Sequence, residues 1–282
     1  MAVDAVEPST AVLELTGERT PIRDLLADYV RRISLLQMLA ARDFRSRYRS
    51  TRLGLVWAVL LPLIQGSILA IVFTHLVRVQ TSADYPVFVL VGMTTWTYIT
   101  TAVNNATTSI VDQADVAGRV YFPRLFLPGV PILAGVPGLM AGLLVIVPIG
   151  AILGVDPTWH LVAYPLVAVL AAATAYAVGS LLALLNVYFR DIKYFVVAAL
   201  QALLYASPII YPLTLIPSHR LRTIAEINPG AGVIELARWS FAANGTDPLA
   251  LPVLSAVAWS VVLSIGAIFA YSKFERLACD RL

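Results

Sequence analysis

Cysteine occurs once, at Cys279, and lysine twice, at Lys193 and Lys273, in a chain of 282 residues. A single cysteine excludes an internal disulfide framework, a zinc cluster and a CxxC redox pair. The three histidines, His75, His160 and His219, are too scattered to form a metal constellation. Neither lysine follows a glycine or precedes Ser or Thr, so the GxxxxGK[ST] phosphate loop is missing and the chain cannot be its own P-loop ATPase. No paired carboxylates and no Ser-His-Asp arrangement mark a catalytic pocket. Charge is scarce throughout: 13% of the residues are Asp, Glu, Lys or Arg and 59% are apolar, whereas soluble domains carry roughly 25% charged residues. That balance excludes both an ordinary water-soluble fold and a disordered chain.

What is present is a series of charge-free blocks. They lie between Arg52 and Arg78, Asp84 and Asp112, Arg124 and Asp156, Asp156 and Arg190, Lys193 and Arg220, and Asp247 and Lys273. Each exceeds the roughly 20 residues a helix needs to cross the hydrocarbon. The blocks predict an all-α integral membrane protein with transmembrane helices at 55–77, 86–108, 128–153, 161–186, 194–212 and 250–271. A β-barrel would alternate in polarity over segments of about ten residues, and this sequence does not. Six spans leave both termini on one side. Sixteen of the twenty Lys and Arg residues fall there, against Arg78, Arg220, Arg222 and Arg238 opposite, which puts both termini in the cytoplasm. Residues 1–19, with four acids and no apolar core, read as a loose cytoplasmic tail and not as a signal peptide. Residues 20–282 form a single transmembrane domain. The spans carry no Asp, Glu, Lys or Arg, the groups ion-coupled carriers use as relays, so the fuel must come from a second polypeptide.

Several segments hold more chemistry than a bundle needs. After Thr20-Pro21, the 21–35 stretch is amphipathic, with Ile22, Leu25, Leu26, Tyr29, Val30 and Ile33 on one face. It suits either the headgroup plane or a partner surface. The basic run before the first span includes Arg45, Arg47, Arg49 and Arg52. It serves either to retain that end in the cytoplasm against anionic lipid or to bind a diphosphate through planar guanidinium groups. In the second span Thr94, Thr97, Thr101, Asn104 and Thr108 recur every three or four residues, with Trp96, Tyr98 and Asn105 nearby. This face fits a neutral, hydroxyl-rich ligand such as a sugar chain, or else interhelical hydrogen bonds. Asp112–Arg124 and Asn186–Lys193 mix charges with aromatics and read as docking surfaces or interfacial belts. The connection 213–249 is broken by Pro217 and Pro229, yet Gly230–Ala243 keeps an apolar helical pattern containing Glu235 and Arg238. It is too short to span and predicts a re-entrant or surface hairpin. Gly138 and Gly142 read as a close helix contact.

Four motifs in order carry a family resemblance. They are Arg42-Asp43-Phe44-Arg45-Ser46-Arg47-Tyr48-Arg49 running into Leu53-Gly54-Leu55-Val56-Trp57, then Asn186-Val187-Tyr188-Phe189-Arg190-Asp191, then Ala206-Ser207-Pro208-Ile209-Ile210-Tyr211, then Asn228-Pro229. Over residues 20–275 the chain resembles the permease subunit of type 2 ABC exporters that move lipid-linked polysaccharides such as O-antigens, teichoic acids and galactan. The resemblance implies a bacterial plasma-membrane channel of two such chains, driven by two copies of a separate nucleotide-binding subunit. ATP and Mg would bind that partner, and this chain would carry no cofactor and no catalytic residue. It also implies a coupling role for Asp112, Asp115, Arg119, Tyr121, Arg124, Tyr188, Phe189, Arg190 and Asp191. Arg45, Arg47, Arg49 and Arg52 would meet the lipid diphosphate at the entrance. Trp96, Thr97, Tyr98, Thr101, Asn104, Tyr205 and Tyr211 would line the channel. Abundant Ala, Val and Arg with little Lys indicate a GC-rich genome and extend the expectation to a cell-wall galactan. A drug or lipid exporter would share this fold. A polyprenyl-phosphate transferase would need acid or base groups at the interface, where Asp43 alone is available.

Overall fold

A computed structural model of the protein describes residues 33–49, 54–76, 85–113, 124–241 and 250–279. The tail 1–19 and most of the amphipathic 21–35 stretch lie outside these residues. The described chain is helical and contains no strand: α1 (Ile33–Arg49), α2 (Val56–Ile71, prolonged by a π-turn over Val72–Leu76), α3 (Tyr85–Asp112), α4 (Gly129–Ile152), α5 (Tyr164–Tyr188, entered through a 3-10 turn at Trp159–Ala163), α6 (Ile192–Ala206), α7 (His219–Ile227), α8 (Pro229–Ser240) and α9 (Ala250–Cys279). Five apolar stretches are long enough to cross a membrane: Val56–His75, Tyr85–Asp112, Gly129–Ile152, Trp159–Tyr188 and Ala250–Lys273.

The predicted span 194–212 is shorter than the sequence indicates. Its helix, α6, ends at Ala206 after 15 residues, about 22 Å at a rise of 1.5 Å per residue, against a hydrocarbon core of ~30 Å. Beyond it Ser207-Pro208-Ile209-Ile210 is non-helical but fully buried. A proline two residues past the last helical position removes an N–H and ends the helix there.

The most buried helix is α3. The apolar window of α3 is 78% buried, while those of α2 and α9 are only 17% buried. In lipid there is no hydrophobic drive between helices, so close approach and polar ties must hold the bundle. Both are present. The Thr94 methyl occupies the place a side chain at Gly142 would need, 2.7 Å from the Cβ position, which confirms a close contact there. Tyr98 Oη donates to the Ile132 carbonyl at 3.1 Å and Tyr176 Oη to that of Leu125 at 2.9 Å. Thr174 Oγ1 and Ser260 Oγ meet at 3.0 Å, and Tyr271 Oη donates to the Ser180 carbonyl at 3.1 Å, joining α5 to α9 at two levels.

Two satellite cores mark the two ends of the bundle. At one, Leu36 of α1 packs with Ile110, Phe126, Leu184, Val187 and Tyr271. At the other, Ala70, Tyr85, Phe88, Ile209, Ile210 and Ile234 pack together. There α8, buried along Gly230–Arg238, fits between α3, α5 and α9. Backbone meets backbone at Gly232, where a Cβ would overlap the Pro252 carbonyl and come within 2.8 Å of the Ala256 Cβ.

Gly232→Ala will therefore cost about 1–3 kcal/mol through overpacking, read as a lower unfolding midpoint of the purified chain. Gly266→Ala, where a Cβ meets nothing within 4 Å, will leave the midpoint unchanged.

Candidate functional site

The helical period of α3 sets Thr94, Thr97, Tyr98 and Thr101 on one stripe facing α2 and α4. Together with Trp57, Leu61 and Pro62 of α2 and Pro131, Gly135 and Leu139 of α4, they enclose a cavity of about 270 Å³. Arg47 of α1 supplies the one charged side chain among the described residues of this lining. Its guanidinium is held by Asp43 one turn earlier at 2.6 Å, both side chains partly exposed. An i,i+4 ion pair of this exposure is worth about 0.3–0.5 kcal/mol, so Arg47 is positioned yet readily released.

The wall is amphipathic. Because the Tyr98 hydroxyl is spent on the Ile132 carbonyl, the residue contributes its ring, which lies against Gly135. Thr101 is exposed and Thr97 half-buried. Thr94 is 3% exposed, and its hydroxyl has no hydrogen-bond partner. Such an orphaned donor and acceptor is costly in an apolar interior unless a ligand or water meets it. Asn104 Oδ1, further along α3, is likewise buried without a partner. Trp96, grouped with this stripe from sequence, sits outside the cavity: it is buried against Gly230 of α8. Tyr205 is exposed on α6, and Tyr211 lies beyond α6 with its hydroxyl donating to the carbonyls of Tyr205 and Ala206. Of the entrance arginines, Arg45 is exposed on α1. The Arg49 side chain and the whole of Arg52 fall outside the described residues.

The coupling candidates gather at the bundle end that α1 caps. Asp112 closes α3 and is exposed, and Arg124 opens a short 3-10 turn, its side chain undescribed. Asp115, Arg119 and Tyr121 fall outside the described residues. Tyr188 is the last residue of α5. After it Phe189, Arg190 and Asp191 form a tight exposed turn, with the Ile192 N–H donating to the Phe189 carbonyl at 3.0 Å. Phe189, Tyr194 and Phe195 project beside it, each about two-thirds exposed, and Lys193 Nζ stands 4.9 Å from the Tyr194 ring centroid.

The opposite end holds a group whose partners the sequence does not reveal. Arg238 is fully buried. Its Nη1 donates to Glu235 Oε1 at 2.6 Å and to the Pro208 carbonyl at 2.8 Å, its Nη2 to the Ile209 carbonyl at 2.5 Å, and its Nε to that of Phe88 at 3.4 Å. The guanidinium carbon also lies 3.4 Å from the centre of the Phe88 ring. Tyr85 Oη donates to the Ile210 carbonyl at 2.8 Å. Asn228, which caps α8 through the Gly230 N–H at 2.9 Å, donates to Ser207 Oγ at 2.7 Å. Gly92 makes room, since a Cβ there would approach Arg238 Nη2 to 2.9 Å. The Ser207–Tyr211 and Asn228-Pro229 motifs are thus two halves of one contact.

The chain is a multi-pass helical membrane protein with a hydroxyl-lined cavity, a basic helix at one end and the buried helix α8 at the other. No group of His, Cys, Asp and Glu that could hold a metal ion occurs among the described residues. The family model described as "ABC-2 type transporter" matches residues 34–242, and the chain belongs to that family. It is 30% identical over 230 residues to the O-antigen export system permease protein RfbA of Myxococcus xanthus, covering 81% of this chain and 88% of that one. A protein of the same name from Klebsiella pneumoniae is 29% identical over 213 residues, covering 75% and 81%.

With Cys279 replaced by Ser, a cysteine at Thr101 or Thr97 will react with a small charged thiol reagent. One at Thr95 or Thr107, buried in the same helix, will not react. Equal labelling at all four would contradict a hydrated cavity.

Proposed function

We propose that this chain is the membrane-spanning subunit of an ATP-driven exporter that carries a lipid-diphosphate-linked polysaccharide from the cytoplasm across the plasma membrane. The observation that carries the reading is the meeting of Arg47 with Thr94, Thr97, Tyr98 and Thr101 around one cavity. A cation beside hydroxyls and aromatic rings matches an anionic head attached to a sugar, since pyranose faces stack on rings and their hydroxyls exchange hydrogen bonds. The relatives' printed names, which speak of O-antigen export, support the same cargo class. A purely apolar cargo would leave the Thr94 hydroxyl unmet.

In this reading α6 together with 207–212 completes a sixth crossing, and α7 and α8 form a re-entrant hairpin on the outer side. Both termini face the cytoplasm. Two copies enclose the path, and two ATPase chains, which bind ATP and Mg, press on the end that presents Asp112 and Phe189–Asp191. The polymer is a cell-wall galactan or a glycan of similar kind. The apolar faces of the exposed helices α2 and α9 contact lipid or the second copy.

Arg190→Glu will break the contact with the ATPase while leaving the fold intact, because Arg190 is exposed. In proteoliposomes holding both subunits, export of the lipid-linked glycan will fall at least about tenfold, the effect of losing an interfacial charge pair, while ATP hydrolysis persists. Undiminished export would contradict the assignment.

A further inference from the structure

The cavity poses two questions that transport alone does not answer. Why does the Thr94 hydroxyl stay unmatched in a packed bundle, and why is the one cation of the lining tied to a carboxylate? Arg47 has its partner on its own helix at 2.6 Å, and both side chains are about a third or less exposed. That geometry leaves the guanidinium paired through Nη2 but not sequestered. A diphosphate offers the same planar fork pairs of acceptor oxygens and two negative charges against the carboxylate's one, so it competes well for Arg47. Asp43 would then swing away at little cost, having one turn of exposed helix around it.

Resting on the export reading above, we propose that Asp43 is an internal stand-in for the phosphate of the cargo. The lipid diphosphate replaces Asp43 on Arg47, and the sugar next to it enters the cavity and hydrogen-bonds Thr94. The site is small. About 270 Å³ falls below the range of roughly 300–1,000 Å³ that holds drug-sized ligands, which fits one sugar unit and excludes a folded oligosaccharide. Trp57 and Tyr98 supply ring surface, and Thr97 and Thr101 line the way to the buried hydroxyl. The arrangement makes Asp43 a competitor: without a diphosphate ligand it holds the cation, and a ligand of higher charge displaces it.

The test uses the full chain in nanodiscs, in a Cys279→Ser, Thr101→Cys background, and reads how far the thiol introduced at position 101 is protected from a thiol reagent. The probes are undecaprenyl diphosphate, undecaprenol, and undecaprenyl diphosphate bearing one N-acetylglucosamine. Undecaprenol will not protect. The diphosphate will protect, Asp43→Asn will lower its half-protecting concentration by about twofold by removing the competing charge, and Arg47→Gln will abolish protection. The sugar-bearing probe will protect better than the diphosphate alone, and Thr94→Val will erase that difference without changing the diphosphate value. An unchanged or weaker diphosphate effect in Asp43→Asn overturns the stand-in. A sugar advantage that survives Thr94→Val overturns the subsite. If protection follows this pattern yet the complex with its ATPase moves no glycan, the export reading fails and the lipid-diphosphate site stands. If glycan moves but Asp43→Asn changes nothing, the reverse holds.

Discussion

A non-helical backbone at membrane depth is tolerated only where its polar groups find partners inside the protein. Ser207–Ile210 is a buried non-helical segment, and Arg238 supplies partners for its carbonyls. The carbonyls of Pro208 and Ile209 accept from this one guanidinium, while that of Ile210 accepts from Tyr85. Glu235, one turn back on α8, balances the charge. Lysine could not do this, because an ammonium offers a point charge with no planar fork to reach several fixed acceptors. The clamp joins α3, the end of α6 and α8 into one block.

That block sets the geometry of the rest. With α8 packed between α3, α5 and α9, the first half of α3 is held in place, and its Trp96 is taken up in packing against Gly230. The middle of α3 presents Thr97, Tyr98 and Thr101 to the gap left by α2 and α4. A ligand site built on a rigid helix holds its hydroxyls in register, which a loop would not. The two ends of the bundle are therefore different in kind: a buried ion pair closes one, and a partly exposed, exchangeable pair stands at the other. Charged groups shut away from water are costly to unpair, whereas the exposed Asp43–Arg47 pair is cheap to exchange.

The spans are legible in the sequence because charge is so costly in lipid that its absence marks their bounds. The prediction 128–153 became Gly129–Ile152, and 55–77 became Val56–Leu76 with its terminal π-turn. The stripe Thr94, Thr97 and Thr101 followed from spacing, but Trp96 did not belong with it, since residues two apart on a helix face apart. The helix α1 was hidden because four arginines between 42 and 49 obscure an apolar side that rests on Leu36 and Ala40. Arg238 was read as an external loop charge. Its carbonyl acceptors lie 29, 30 and 150 residues away, and no local pattern announces contacts at such separations. Pro208 ends α6 within the predicted span 194–212, and Asn228-Pro229 forms the cap and first turn of α8.

The most direct measurement is a double-mutant cycle on the clamp, read as thermal unfolding of the full purified chain. Arg238→Met will lose about 3–5 kcal/mol, because Glu235 is left buried and unpaired, and Arg238→Lys will recover only part of it. Glu235→Leu added to Arg238→Met will restore stability well beyond the single variant, although the carbonyls of Pro208 and Ile209 stay unmet. An unfolding midpoint for Arg238→Met equal to that of the unaltered chain would contradict the claim that this one side chain holds α3, the end of α6 and α8 together.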